Sequence, residues 1–287
     1  MPITAEQRLA RRHHIGSSDS AAVVGVDPRR SAADVYAEKV FNVDEIADKD
    51  AIRLGNLLEP ALIAWAQEEL GIELQANVSR VHPNGILASN LDARAVDPLC
   101  RIGVEAKTTG IIGSYGEPGT DQCPDHVLVQ ALHHCEVHEL DLVYVPVLLA
   151  RPFGWSFEMF QVKADGAGQA AIVDRDVAFW NNNVLPKVPP AASLPSLDLL
   201  KRIRREPAKQ VEIDPVLVED WRRARDARKV AERGEELAKE ALLFALGDAE
   251  AATLGEFGRW ITFYQQTRKE HLVPESTFRV LREAKRP

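Results

Sequence analysis

The sequence predicts an α/β protein whose mixed central sheet is flanked by helices, with a C-terminal extension made of a long helix and a β-hairpin. Two observations support this architecture. Segments of helical and of strand periodicity alternate as far as Asn182, and four prolines between Pro186 and Pro195 then interrupt the pattern. We therefore expect a first domain over residues 1–190 and an extension over residues 191–287.

Helices and then short strands are predicted in the first part of the chain. Ser31–Val40 and Ile52–Leu70 have apolar residues at helical spacing; Gly71 ends the second helix, and Pro60 predicts a helix start or a kink within it. The β-branched segments that follow are separated by Pro, Gly and Asn, which is typical of strands. These strands are predicted at Leu74–Val81, Ile86–Leu91 and Ile102–Thr108.

Apolar spacing predicts two further helices, Asp121–Glu139 and Ala167–Asn182. Between them, the apolar segment Leu140–Leu149 indicates a central strand, and the alternating segment Trp155–Val162 indicates a strand nearer the edge. The extension is predicted to contain one long charged helix and two final strands. Their bounds are Val216–Leu246, Gly255–Gln265 and Ser276–Leu281.

The composition sets limits on function. With 287 residues, 45% of them hydrophobic, the chain can form one or two globular domains. Residues 199–287 hold 19 Lys and Arg against 16 Asp and Glu, so the net charge of −8 comes from an acidic first part. That acidity argues against a simple cationic DNA-binding module, although clustered carboxylates can hold divalent metal. Three cysteines and the absence of long apolar runs favour a cytoplasmic protein without membrane contact.

Two carboxylates and a lysine form the pattern that points most directly to chemistry. Asp92 ends one predicted strand, and Glu105 and Lys107 lie two residues apart on the next, so they share a face. The intervening residues 93–101 are short enough for a hairpin. Asp92 and Glu105 can bind Mg²⁺, and Lys107 can position a water or offset phosphate charge. A Glu-x-Lys triplet by itself is also common on a solvated strand face.

Five sequence motifs, taken in order, resemble those of the YqaJ-like viral recombinase family, which includes phage exonucleases of the lambda type. They are Arg11–Asp19 (RRHHIGSSD), Ala21–Gly25 (AAVVG), Gly55–Glu59 (GNLLE), Asp92 with Glu105–Lys107, and Val129–Gln130. The resemblance spans about residues 8–180. It implies a PD-(D/E)xK restriction-endonuclease-like core.

The same resemblance implies an activity. The expected enzyme is a Mg²⁺-dependent exonuclease, with Mn²⁺ as the alternative metal, that degrades one strand of linear double-stranded DNA from 5′ to 3′. It would leave a 3′ single-stranded tail for a single-strand annealing protein during phage-type recombination. A homo-oligomer is expected, of which a ring trimer is one form.

The resemblance also implies roles for individual residues. Catalysis and metal binding are expected of carboxylates, one lysine, one glutamine and one backbone carbonyl: Glu59, Asp92, Glu105, Lys107, Gln130 and the carbonyl of Ala106. The 5′ phosphate and nearby DNA are expected to contact Arg11, or Arg12 if the register shifts by one, together with Ser18, Ser89 and Asn90. The family often has Ser two residues before the metal Asp, where this chain has Asn90 and places Ser89 one further back.

Several alternatives stay open on the sequence alone. A PD-(D/E)xK endonuclease of repair or restriction, or a non-catalytic DNA-binding scaffold, would have similar motifs. Ser17–Asp19 could cap a helix, and Gln130 could be a surface amide. A group of histidines, His126, His133, His134 and His138, lies close to Cys135 and raises the question of a zinc site, which would need four ligands in suitable geometry.

Overall fold

The computed structural model describes residues 11–41, 43, 50–110, 114–151, 154–191, 193–204, 206–253 and 260–262. The chain forms two compact units that divide between residues 205 and 206. The domain boundary predicted near residue 190 stays a prediction. In the described part of the chain, no helix has both the length and the apolar character that crossing a membrane requires.

The first unit combines a sheet with helices on both faces. Its helices are α1 (Ser17–Val24), α2 (Ala32–Val40), α3 (Asp50–Leu70), α4 (Asp125–His138), α5 (Gly166–Phe179) and α6 (Leu197–Arg202), with a π-helical turn at Trp180–Val184. Its strands are β1 (Leu74–Val81), β2 (Ala88–Ala95), β3 (Ile102–Val104), β4 (Lys107–Thr109), β5 (Leu142–Arg151) and β6 (Gly154–Lys163).

The sheet is mixed, as the sequence predicted. Strands β1, β2 and β3 follow one another as antiparallel neighbours, and β3 and β4 both run parallel to β5. Strand β6 pairs antiparallel with β5 along its whole length, so β3 and β4 occupy the other edge of β5. Val104 lies opposite Tyr144 and Lys107 opposite Val147, which means that β3 and β4 keep one register across a short break.

The core lies on both faces of this sheet. On one face, Val127, Ala131 and Cys135 of α4 pack against the apolar residues of β5 and Phe160 of β6. On the other face, Ala66 of α3 packs against Ala93 and Val104. Helices on both faces explain why β5 is apolar on its two sides, since neither side meets water. The predicted α/β architecture is confirmed.

The N-terminal part of the described chain is tied to β2. Ile15 forms a parallel bridge with Leu87, its N–H donates to Ile86 O over 2.7 Å, and its carbonyl accepts from Ala88 N over 2.9 Å. Ile15 is fully buried and packs in a second cluster with residues of α1, α2 and α5. This link brings the start of α1 to the same region of the sheet as Asp92.

Three sequence predictions about the elements were wrong in detail. Helix α3 runs from Asp50 to Leu70 with Pro60 inside, so the expected helix start at Pro60 is wrong, while the alternative of a kink there stays a prediction. Strand β2 continues past Asp92 to Ala95, because Leu91, Ala93 and Ala95 keep alternating into the core and stay paired with β1. The strand predicted at Ile102–Thr108 is broken between Val104 and Lys107.

The second unit contains a helix and a small hairpin. Helix α7 (Pro215–Leu246) begins after Asp214, whose side chain accepts from Val216 N. Strands β7 (Ala251–Thr253) and β8 (Trp260–Thr262) pair antiparallel. The hairpin therefore starts earlier than predicted, and the strand predicted at Ser276–Leu281 lies outside the described residues.

Candidate active site

The break between β3 and β4 sets two carboxylates side by side. Ala93 pairs with Val104 across β2 and β3, so Asp92 faces the break that follows Val104. Glu105 stays attached to the sheet, because its N–H donates to Tyr144 O over 2.9 Å. The N–H of Ala106 turns away from β5 and donates to Asp92 Oδ2 over 2.8 Å. The interruption therefore supplies a backbone donor that fixes the side chain of Asp92.

A compact hydrogen-bonded group surrounds Glu105. Lys107 Nζ donates to Glu105 Oε1 over 2.7 Å, and Gln130 Nε2 donates to the same oxygen over 2.6 Å. Lys107 Nζ also donates to Gln130 Oε1 over 2.9 Å, which closes a triangle of three side chains. Glu105 is only 4% exposed, whereas the side chain of Lys107 is 25% exposed and reaches solvent.

The electrostatics of this group show an excess of negative charge. Burial and the neighbouring charge of Glu105 raise the pKa of Asp92 well above its ordinary range. Burial also acts to raise the pKa of Glu105, but Lys107 and His134 outweigh it and lower that pKa to about 2. Burial acts to lower the pKa of Lys107, but Glu105 and Asp92 outweigh it, and the net effect raises it. The charge of Lys107 thus offsets the charges of two carboxylates, Asp92 and Glu105. A cation bound at Asp92 would reduce the repulsion between them.

A cavity of about 540 Å³ opens beside these residues. Glu59 of α3 lines it together with Asp92, Glu105, Ala106 and Lys107, so three carboxylates border one space. This donor set suits a hard divalent cation such as Mg²⁺, which typically takes one or two carboxylates and completes its shell with water and substrate phosphate. Among the described residues, no three His, Cys, Asp or Glu side chains converge into a complete protein-only metal site.

The residues expected to bind a 5′ phosphate lie at and just before the start of α1. Arg11 and Ser18 are both exposed, and the neighbouring Ser17 is buried with its Oγ 3.5 Å from Gln130 Nε2. The start of α1 is therefore adjacent to the Glu105 group. Arg12 is arranged differently, since its guanidinium donates to Phe41 O over 2.9 Å.

Buried ion pairs hold this N-terminal segment in position. Asp19 lies 2.9 Å from Arg30 and 2.6 Å from Lys39, and its side chain also accepts from Gly16 N over 3.2 Å. Lys39 Nζ in turn donates to the backbone carbonyl of Arg11. Asp19, which the sequence motif includes as its last residue, therefore organises the backbone that carries Arg11.

The structure separates the two β2 residues expected to contact DNA. Asn90 is exposed and its Oδ1 accepts from Ser79 Oγ over 2.7 Å. Ser89 is 3% exposed, and its hydroxyl lies 2.6 Å from His134 Nδ1 and 3.0 Å from His138 Nε2. The hydroxyl of Ser89 therefore faces the histidines of α4, so its burial gives no support to the expected DNA contact.

Histidines of α4 form buried contacts that the sequence did not reveal. His133, His134 and His138 are all 0% exposed. His134 Nε2 lies 3.1 Å from Glu105 Oε2, off the ideal hydrogen-bond direction. The signal in the sequence was the spacing of four between His134 and His138, which places both on one face of the helix. Among the described residues, these histidines do not form a cluster that could hold a metal ion.

Comparisons with known proteins identify a family match and a shared fold. Residues 8–141, slightly less than half of the chain, match the family model described as YqaJ-like viral recombinase domain. A solved alkaline exonuclease from Laribacter hongkongensis is similar in fold, at 18% identity and a TM-score of 0.50, over 62% of this chain and 92% of that one.

A second solved structure and a sequence search complete the comparisons. A phage-related exonuclease from Haemophilus somnus 129PT gives 13% identity and a TM-score of 0.45, over 58% of this chain and 92% of that one. No curated protein sequence matches the chain. The site residues Glu59, Asp92, Glu105, Lys107 and Gln130 all lie within the segment that the family model covers. The resemblance to the YqaJ-like viral recombinase family that the sequence motifs predicted is therefore confirmed over residues 8–141.

Proposed function

We propose that this chain is a divalent-metal-dependent exonuclease that digests one strand of linear double-stranded DNA from the 5′ end. One observation carries the proposal. Asp92 and Glu105 are held side by side through the N–H of Ala106, Lys107 lies 2.7 Å from Glu105, and all four border one cavity. The family match over residues 8–141 and the fold shared with an alkaline exonuclease support a nuclease.

Each side chain has a distinct part in this chemistry. Asp92 and Glu105 would hold a Mg²⁺ ion, which when bound polarises the phosphate and makes its bound water more acidic. Lys107 offers an ammonium group that can offset negative charge developing on a phosphate oxygen. Gln130 contacts both Glu105 and Lys107, so it limits the freedom of the ammonium. Glu59 also borders the cavity and would add negative charge for a water shell or a second cation.

The start of α1 is the proposed receptor for the 5′ phosphate. Arg11 and Ser18 are exposed there, and the first N–H groups of a helix favour an anion. Ser17 touches Gln130, so a phosphate bound at this point would be close to the scissile bond. This adjacency supports digestion from a 5′ end, since a terminal phosphate would fix the distance to the next bond.

The product and the assembly follow from the same proposal. Removal of one strand from its 5′ end leaves a 3′ single-stranded tail, the substrate of a single-strand annealing protein in the cytoplasm.

With a net charge of −8, the chain has little general attraction for DNA. A ring-shaped homo-oligomer, of which a trimer is one form, would keep the duplex in place without a strongly basic surface.

The test compares linear and closed substrates. Linear duplex labelled at its 5′ or at its 3′ ends is incubated with Mg²⁺ or with EDTA, alongside a covalently closed circle of the same sequence. We expect early release of 5′ label as mononucleotides, no reaction in EDTA, and an intact circle. Rapid nicking of the circle would establish an endonuclease instead, and early loss of 3′ label would reverse the polarity. Asp92→Asn serves as the matched inactive variant.

A further inference from the structure

A chain of buried polar contacts extends from Glu105 into the protein interior. His134, which is 0% exposed, has its Nε2 3.1 Å from Glu105 Oε2 and its Nδ1 2.6 Å from Ser89 Oγ. The same hydroxyl lies 3.0 Å from His138 Nε2. Among the described residues, neither Glu105 Oε2 nor His134 Nε2 has a hydrogen-bond partner with ideal geometry. Each of these two atoms therefore has the other as a polar neighbour at 3.1 Å.

The donors and acceptors in this series of contacts, from Glu105 to His138, favour one direction for the hydrogen bonds. A neutral imidazole carries one N–H, and a serine hydroxyl has a single proton to donate. If Ser89 donates to His134 Nδ1, the proton of His134 is on Nε2 and faces the carboxylate of Glu105. In the opposite arrangement, an imidazole lone pair would face a buried carboxylate at 3.1 Å, which is repulsive. The first arrangement also lets His138 Nε2–H donate to Ser89.

Each carboxylate oxygen of Glu105 therefore has at least one neighbouring donor side chain. A carboxylate offers about four acceptor positions. Lys107 and Gln130 take the two on Oε1, and His134 Nε2 lies 3.1 Å from Oε2. The terminal torsion of Glu is soft, so contacts to Oε1 alone would let the carboxylate plane swing. The contact from His134 fixes that plane.

His133, the adjacent residue, belongs to a different group. It is equally buried, but its Nε2 lies 3.1 Å from Ala88 O and its Nδ1 lies 3.5 Å from Asp176 Oδ2. Asp176 also accepts from Ser20 Oγ, so this group joins α4 to α5, α1 and the start of β2. No contact in this group involves Glu105. His133 therefore provides a matched control in the same helix.

We propose that His134 is a positioning residue that orients the carboxylate of Glu105 for the divalent cation, with Ser89 and His138 fixing the imidazole from behind. The inference rests on the proposed function, because it requires Glu105 to be a metal ligand. It gives Ser89 a role in the interior that replaces the expected contact with DNA. Partners of this kind behind a metal ligand typically change metal affinity by about 10- to 100-fold when they are removed.

The test measures metal binding directly, without DNA. Mn²⁺ is titrated into the full chain, and free Mn²⁺ is followed by electron paramagnetic resonance. His134→Asn keeps an acceptor for the Ser89 hydroxyl near the position of Nδ1 but withdraws from Glu105, whereas the amide of His134→Gln can donate to Glu105 in place of Nε2. We expect His134→Asn to weaken the tightest Mn²⁺ site by about 10- to 100-fold. His134→Gln is expected to recover most of that loss, and His133→Asn to bind Mn²⁺ like the wild type.

The outcomes separate the two proposals. A wild-type chain that binds Mn²⁺ while His134→Asn binds it equally well overturns the role of His134 and leaves the proposed function standing. Equal losses in His134→Asn and His133→Asn also overturn it, because burial alone would then explain the effect. A wild-type chain that binds no Mn²⁺ overturns both proposals. If the Asn variants do not fold, His134→Leu and His133→Leu are compared, and a His134→Leu affinity equal to that of His133→Leu overturns the inference.

Discussion

The backbone N–H of Ala106 points at the side chain of Asp92 and donates to its Oδ2 over 2.8 Å. This bond joins two strands at the point where one of them is interrupted, and it sets the distance between the carboxylates of Asp92 and Glu105. It satisfies one oxygen of a carboxylate that is repelled by its neighbour. The site is therefore arranged for binding a cation at some cost to the stability of the metal-free fold.

Asp92→Asn is expected to abolish cleavage while making the metal-free protein more stable. The amide oxygen still accepts from Ala106 N, and the repulsion from Glu105 disappears. Because burial and Glu105 raise the pKa of Asp92, its charge costs stability as pH rises above the ordinary value of 3.8. At pH 8 in EDTA the melting temperature should rise by about 2–4 °C.

The control for this prediction is the pH series itself. The difference in melting temperature between wild type and Asp92→Asn should shrink as pH falls towards the ordinary pKa of Asp, where the wild-type carboxyl is protonated. A variant that is less stable than the wild type at pH 8 without metal would contradict the expected repulsion. Retained cleavage would contradict the role of Asp92 in the site.

Lys107→Met is expected to remove turnover with little loss of DNA binding. Methionine keeps most of the volume but cannot donate to Glu105 or to a phosphate oxygen. Loss of a single such charged donor typically lowers kcat by about 10²- to 10³-fold. Turnover is measured on linear duplex, and binding by fluorescence anisotropy in Ca²⁺. Lys163→Met, an exposed position at the end of β6, serves as control; near-normal turnover in Lys107→Met would contradict the prediction.

Arg11→Ala is expected to slow digestion of 5′-phosphorylated ends selectively. A charge-assisted hydrogen bond contributes roughly 1.5–3 kcal/mol, so the rate on phosphorylated ends should fall by at least about tenfold. Ends with a 5′ hydroxyl should be digested at the wild-type rate. Arg12→Ala is the matched control, because that guanidinium donates to Phe41 O instead. Equal losses on both kinds of end would show that Arg11 does not recognise the phosphate.

Asp19→Asn is expected to destabilise the first unit by about 3–5 kcal/mol, since it removes the carboxylate that pairs with the buried Lys39 and one of the two carboxylates that pair with Arg30, which keeps Glu38. Burial acts to raise the pKa of Asp19, but Lys39 and Arg30 outweigh it and lower the pKa well below the ordinary value of 3.8. The stabilisation is therefore present above that ordinary value and is lost as pH falls towards the lowered pKa.

Urea denaturation between pH 3 and pH 7 measures this effect. The free energy of unfolding should differ most between wild type and Asp19→Asn near pH 7, and the difference should decrease at the acid end. A constant difference across the range would mean that the carboxylate charge is not the cause. Asp27→Asn, in the loop between α1 and α2, provides a control in the same part of the chain.

Local patterns were sufficient for much of the fold. Apolar spacing predicted α3 and α7 to within two residues of their observed bounds, and β-branched composition predicted β1 at its observed bounds. Glu105 and Lys107 were expected on one side of a strand, and their side chains are in contact although the strand is broken before Lys107. These features depend on neighbours close in sequence, which a single chain displays directly.

Other features depend on contacts between distant segments. The interruption between β3 and β4 arises where Asp92, from another strand, offers an acceptor to Ala106 N. The burial of Ser89 depends on the packing of α4 against β2, 45 residues further along the chain. No local pattern encodes either contact, since the same residues would be compatible with a continuous strand and a solvated serine.

The sequence by itself determined the α/β class, the order of most elements and the set of carboxylates and lysine that could act together, because periodicity and residue chemistry are local properties. Only the tertiary structure decided how Glu105 is held, with Lys107 and Gln130 on one oxygen and His134 on the other. The physical reason is that burial removes water as a partner, so each polar atom must find another one across the fold, and that choice is made by packing.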